Sequence, residues 1–157
     1  DLVDEIYSAR GRKPMWSILS ETAYSAAYAI ASATDRIVVP RTGGVGSIGV
    51  IWMHVDFERA LSEAGINVTF VQYGAKKAWG NQYQALPEAA RAEFQSQIDE
   101  AGDLFVETVA RNRGLTFDAV RDTQAGMFQG ADGVDVGLAD AVTSPREAFS
   151  ALLDELG

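Results

Sequence analysis

The apolar positions of this chain follow several rhythms, and each predicts an element. Leu2, Val3 and Ile6 have helical spacing, so residues 1–10 read as an amphipathic helix closed by Gly11 and the breaker Arg12-Lys13-Pro14. Met15 to Leu19 is a short apolar run suited to a buried strand. Ala23 to Ala33 is almost wholly small and apolar, which predicts a helix buried on all sides. Ile37, Val38 and Val39 predict a strand stopped by Pro40, and Thr42 to Gly49 a glycine-dense loop. That loop leads into the β-rich run Val50 to Val55. Asp56 then suits the N-cap of a helix with apolar face Phe57, Ala60, Leu61 and Ala64, ended by Gly65, and Ile66 to Val71 follows as a strand. Strand, helix and strand in that order predict a parallel βαβ unit.

Residues 73–86 carry no period and read as a loop. From Pro87 to Arg113, Phe94, Ile98, Ala101, Phe105 and Val109 recur at steps of three and four, giving one stripe on a long helix ended by Gly114. Thr116 suits the cap of a short helix to Arg121, Met127-Phe128 a strand, Ala131 to Val136 a small helix, and Ser144-Pro145 the start of a last helix through Leu156. The class is α/β, with the sheet mostly in the first half.

Composition narrows the function. The 157 residues suit one domain, and 47% hydrophobic with 22% charged residues exclude a disordered or low-complexity chain. There is no cysteine, hence no disulfide framework, thiol nucleophile or thiolate metal site. The net charge of −9 argues against nucleic acid or an anionic membrane as partner. Residues 1–87 balance eight acidic against eight basic side chains, and residues 88–157 hold fourteen against five, so the acidity belongs to the second part. No run reaches the length of a membrane span, and the N-terminus lacks a signal pattern, so the chain as it stands is expected to be soluble.

Few residues can do chemistry. His54, the single histidine, lies within an apolar run where a structural role is the simpler reading, and neither it nor the spacing of the acids makes a metal site. The glycine loop lacks the lysine of a P-loop and does not open a helix as a dinucleotide fingerprint would, so no cofactor is predicted. Ser25 sits among Ala23, Tyr24, Ala26 and Ala27 at the start of a small-residue helix. Its plain reading is a helix N-cap or a buried serine, and its alternative a nucleophile whose oxyanion would meet free backbone amides. Without a usable histidine, the base for such a serine would be a lysine with a pKa lowered by burial. Three lysines exist. Lys13 reads as solvated, and Lys76 and Lys77 share the irregular loop, where two solvated lysines are the plain alternative.

Three segments taken in order carry a resemblance: Ala23-Tyr-Ser-Ala-Ala-Tyr-Ala-Ile-Ala-Ser32, Thr42-Gly-Gly-Val-Gly-Ser-Ile-Gly-Val50 and Tyr73-Gly-Ala-Lys-Lys77. They are similar to the core of the signal peptide peptidase A (SppA) family of serine peptidases, above all its phage and prophage head-maturation branch of capsid proteases. Leu104 to Gly114 and Gly130 to Val142, with Gly137-Leu-Ala-Asp140, resemble that family's downstream helices, so the similarity runs through nearly the whole chain.

The resemblance implies a ClpP/crotonase-like fold, a mostly parallel sheet with flanking helices, and a serine endopeptidase with a Ser-Lys dyad, acting in the cytoplasm of a bacterial host in phage or prophage capsid and scaffold processing or in signal-peptide degradation. By motif match Ser25 is the nucleophile, Lys77 the general base beside a non-catalytic Lys76, Ser47 the accessory serine that orients the lysine, and the Ala26 amide an oxyanion donor. Ser25-Ala26-Ala27 replaces the Ser-Gly-Gly of many relatives. The family's upstream Ser-Pro-Gly-Gly loop would precede Asp1, so residues 1–157 are expected to be one peptidase domain without its leading strand and oxyanion loop. The implied partners are a peptide or protein substrate, such as capsid or scaffold protein, and further copies in a homo-oligomer. A non-catalytic assembly module of the same fold and a crotonase-type acyl-CoA enzyme are the alternatives.

Overall fold

The computed structural model describes residues 1–157. Its elements are α1 (Leu2–Ser8), β1 (Trp16–Ile18), β2 (Thr22–Tyr24), α2 (Ala26–Ser32), β3 (Arg36–Val39), β4 (Gly44–Gly46), α3 (Glu58–Glu63), α4 (Glu88–Arg113), α5 (Phe117–Arg121), β5 (Met127–Gln129), α6 (Ala131–Asp135), β6 (Ala141–Val142) and α7 (Pro145–Leu156). The chain divides into two units, Asp1–Gly49 with Gly102–Gly157, and Val50–Ala101, the boundary falling within α4. No helix is long and apolar enough to cross a membrane.

The larger unit holds both sheets. One has the order β1-β3-β6 with all strands parallel, and the other the order β2-β4-β5, in which β2 and β4 are parallel and β5 antiparallel. The chain visits the sheets alternately: β1 then β2, and after α2, β3 then β4. Parallel neighbours need such a crossover, and α2 supplies it for both pairs. This is the α/β arrangement expected of the ClpP/crotonase-like class, mostly parallel strands with flanking helices. Central strand β3 buries Ile37, Val38 and Val39, as a strand covered on both faces should.

Around these strands packs one core that includes Tyr28 and Ala31 of α2, Val45 of β4, Val106 and Val109 of α4, Val120 of α5 and Leu138. Its polar members are satisfied. The Tyr28 hydroxyl donates to the Leu138 carbonyl at 2.8 Å, and burial pushes the phenol pKa up. The Asn112 amide of α4 donates to Ser32 Oγ of α2 at 3.0 Å, and Ser32 passes a bond to the Ala29 carbonyl. Arg113, 7% exposed at its side chain, grips Asp140 with two nitrogens, while the same carboxylate accepts from the Ile37 amide of β3. Burial opposes the charge on Asp140, yet Arg113 and the Ile37 N–H together hold its pKa below the usual carboxylate value.

The structure corrects several expectations. Ala23–Ala33 is not one helix buried on all sides: β2 occupies its start, and Ala26, Ala27 and Ile30 of α2 are exposed. The glycine-dense stretch is not only loop, since its middle is β4, with Gly44, Val45 and Gly46 all buried. Glycine is required there: a Cβ at Gly43 would collide with the Glu21 carbonyl, and one at Gly46 with the Gly126 carbonyl. The predicted βαβ unit does not form. Val50–Val55 and Ile66–Val71 are irregular, because β propensity expresses itself only where a partner strand completes the surface. Phe57 rather than Asp56 is the N-cap of α3, although the Asp56 carboxylate does accept from the Glu58 amide. On α4 the stripe buries Val109 and half-buries Phe94, Ile98 and Phe105, but leaves Ala101 exposed.

Candidate active site

Ser25 stands at the sharp turn from β2 into α2, with φ 53° and ψ −124°. Such a left-handed φ is uncommon for a residue with a Cβ and costs free energy, so the surroundings must impose it. Part of that constraint is the Ser25 amide, which donates to the Gly46 carbonyl at 2.9 Å. The hydroxyl makes no capping bond and the residue is exposed. The plain N-cap reading therefore fails for the side chain, and an uncommitted hydroxyl projects where small neighbours leave room. Ala26 is the first helical residue, so its amide belongs to the first turn, where no intrahelical carbonyl is available.

Ser47 mirrors Ser25. Tyr24 and Gly46 are paired in the parallel ladder between β2 and β4, so the two serines leave neighbouring strands at the same level and at the carboxyl ends. That end of a parallel sheet is where α/β proteins place their chemistry. Ser47 also has φ 53°, is half-buried, and donates its amide to the Gly126 carbonyl at 2.8 Å. Ser25, Ala26 and Ser47 are thus brought together by the larger unit.

The lysines belong to the smaller unit. Lys76 is engaged twice: its ammonium pairs with Glu93 of α4 and lies 5.1 Å from the centre of the Trp79 ring. Lys77, in the same turn, is exposed and forms no ion pair. Neighbours in sequence thus differ in chemistry, Lys76 committed and Lys77 free. His54 is held as a structural residue would be. Its ring stacks on Trp52 at 5.8 Å and 11°, and its Nε2 lies 2.8 Å from the Asn81 carbonyl, to which it donates. It lies in irregular chain rather than in the strand expected of it.

A turn that sequence reasoning missed borders the serines. Thr123–Gly126 carries positive φ at Gln124 (49°) and Ala125 (57°) and closes through the Gly126 amide on the Thr123 carbonyl at 2.8 Å. Two consecutive positive φ values normally call for Asn-Gly, so Gln-Ala gave no turn signal in the sequence.

With that geometry in view, the comparisons with known proteins decide the family. The description "Peptidase family S49" matches residues 8–157. This chain belongs to peptidase family S49. Within S49-like proteins, the head-tail preconnector protein GP5 of Enterobacteria phage P21 is 42% identical over 156 residues, covering 99% of this chain and 31% of that protein. The capsid assembly protease C of Escherichia phage lambda is 34% identical over 156 residues, covering 99% of this chain and 36% of that protein. The chloroplastic serine protease SPPA of Arabidopsis thaliana is 28% identical over 141 residues, covering 88% of this chain and 21% of that protein. The chain therefore spans about a third of the length of the two phage relatives. The SppA resemblance and its phage branch both hold.

Proposed function

We propose that this chain carries the catalytic serine of an endopeptidase that cuts capsid or scaffold protein during phage head assembly. The observation that supports this most is Ser25, an exposed, uncommitted serine held in a left-handed conformation at a strand-to-helix elbow. In the reading proposed, neutral Lys77 takes the Ser25 proton, the alkoxide attacks the peptide carbonyl, and the protonated lysine then donates to the leaving amine. Ser47 orients the lysine amine, and the Ala26 amide donates to the tetrahedral oxyanion. A lysine acts as base only when dehydrated, and Lys77 is exposed in the isolated chain. Bound substrate or a further copy in a homo-oligomer supplies that burial. The capsid substrate rests on the name of the lambda relative, a capsid assembly protease.

The test is cleavage by the full-length protein. Ser25→Ala and Lys77→Met each abolish cleavage with the fold intact by circular dichroism, whereas Lys76→Met keeps it. Full activity in Lys77→Met with loss in Lys76→Met overturns the base assignment. The P21 relative's name, a head-tail preconnector protein, favours one second reading, a non-catalytic assembly module. A serine-directed acylating probe separates the two, because a module without catalysis leaves Ser25 unlabelled.

A further inference from the structure

The chain has four non-glycine residues with positive φ, namely Ser25, Ser47, Gln124 and Ala125. All four lie on one string of backbone hydrogen bonds. The peptide unit between Gly46 and Ser47 is its centre: the carbonyl accepts from the Ser25 amide at 2.9 Å, and the N–H donates to the Gly126 carbonyl at 2.8 Å. Gly126 closes the turn over Gln124 and Ala125 through its own amide on Thr123. The turn is anchored in turn by α5. The Thr123 hydroxyl donates to the Val120 carbonyl at 2.7 Å, and the Gln124 backbone and side-chain amides both reach the Arg121 carbonyl, at 3.0 and 2.9 Å. Val120 itself is buried in the core.

Strained residues persist only where their surroundings over-determine them, and strain gathers where geometry matters for function. If the turn served only to connect α5 to β5, glycine at 124 and 125 would do so without strain. We infer that the Thr123–Gly126 turn is a positioning device for the nucleophile, setting Ser25 and Ser47 together through the single Gly46–Ser47 peptide. Gln124 and Ala125 are positioning residues, since neither hydrogen-bonds a serine hydroxyl and both act through the Gly126 carbonyl. A rigid left-handed Gln-Ala pair fixes the direction of the Gly126 carbonyl more tightly than two glycines, which wander over a wide range of φ. The peptide that hangs from that carbonyl then holds Ser25 at its elbow. This inference rests on Ser25 as the nucleophile for its catalytic consequence, but not for the bracing itself.

The experiment uses the full-length protein with the double substitution Gln124→Gly/Ala125→Gly, which relieves strain and so keeps or raises the melting temperature. Amide hydrogen exchange at Ser25 and Ser47 is expected to accelerate about tenfold while Val39 and Val109 stay protected. Acylation of Ser25 by a fluorophosphonate probe, and kcat with KM unchanged, should fall on the order of tenfold to a hundredfold. Unchanged exchange at Ser25 and Ser47 overturns the inference, as does faster exchange with an unchanged acylation rate. Gly49→Ala is the independent check, because its Cβ would stand 2.9 Å from that of Ala125 and push on the turn from outside. It should slow acylation likewise, and a normal rate there counts against the device. A parent protein whose Ser25 never labels defeats the proposed function instead, and the exchange measurement still decides the bracing.

Discussion

The two units of this chain use similar residues to opposite effect. Arg36–Val39 and Val50–Val55 are both rich in β-branched residues, yet the first is the buried centre of a sheet while the second leaves Ile51 92% and Met53 78% exposed. Val71 and Tyr73 in the smaller unit are also fully exposed, whereas the larger unit contains both sheets and the whole core cluster. The difference is pairing. β3 has β1 on one side and β6 on the other, while 50–55 and 66–71 have no strand to complete them. The geometry of the serines comes from the paired region, whereas Lys76 and Lys77 both belong to the unpaired one.

Substitutions that add volume should separate the units most sharply. Gly43→Ala drives a Cβ into the Glu21 backbone and is expected to destabilise the larger unit by about 4 kcal/mol. Gly65→Ala, at φ +73° with open space around it, should cost about 1 kcal/mol. Chemical denaturation of both variants reads the contrast, and equal losses would break it.

The ion pair between Arg113 and Asp140 gives the next effect. Arg113→Ala removes the buried guanidinium from a carboxylate that is itself 33% exposed and should cost about 2 kcal/mol. The pair also sets a pH dependence. The folded-state pKa of Asp140 lies below its unfolded value, so its contribution is present above the unfolded value of about 3.9 and is lost as pH falls through the folded one. Acid titration should therefore weaken the parent below about pH 4, and Arg113→Ala should blunt that dependence; an identical acid profile would remove Asp140 from the account. The smallest effect is expected at Val71. Val71→Ser, on a fully exposed side chain, should change stability by no more than about 0.5 kcal/mol, and a larger loss in thermal melting would show that this segment is already covered in solution.

The starts of α5 and α7 were legible because their signals are local. Thr116 caps α5 by accepting from the Ala119 amide, and Ser144 with Glu147 forms a capping box before Pro145 in α7. Those bonds span three residues, so three residues of sequence suffice to foresee them. Ser25 was legible as a candidate for a similar reason, since only its small neighbours make a hydroxyl there accessible.

Strands were not legible in the same way. β2 and β4 are three residues each, too short to show a period, and β4 holds two glycines, which are depleted in strands. They exist because Thr22–Tyr24 and Gly44–Gly46 meet in register, a relation between distant residues. The same meeting turned Ser25 and Ser47 into left-handed neighbours, and a turn with no sequence signature braces them.

By itself, then, the sequence determined the α/β class, the caps of α5 and α7, the absence of a thiol nucleophile and a shortlist of one serine and two adjacent lysines. Tertiary structure alone decided which β-rich runs became strands, which lysine was committed to Glu93, and how two serines came to face the same end of a sheet. Capping and composition are properties of neighbours along the chain, whereas pairing, burial and strain depend on segments that only folding brings together.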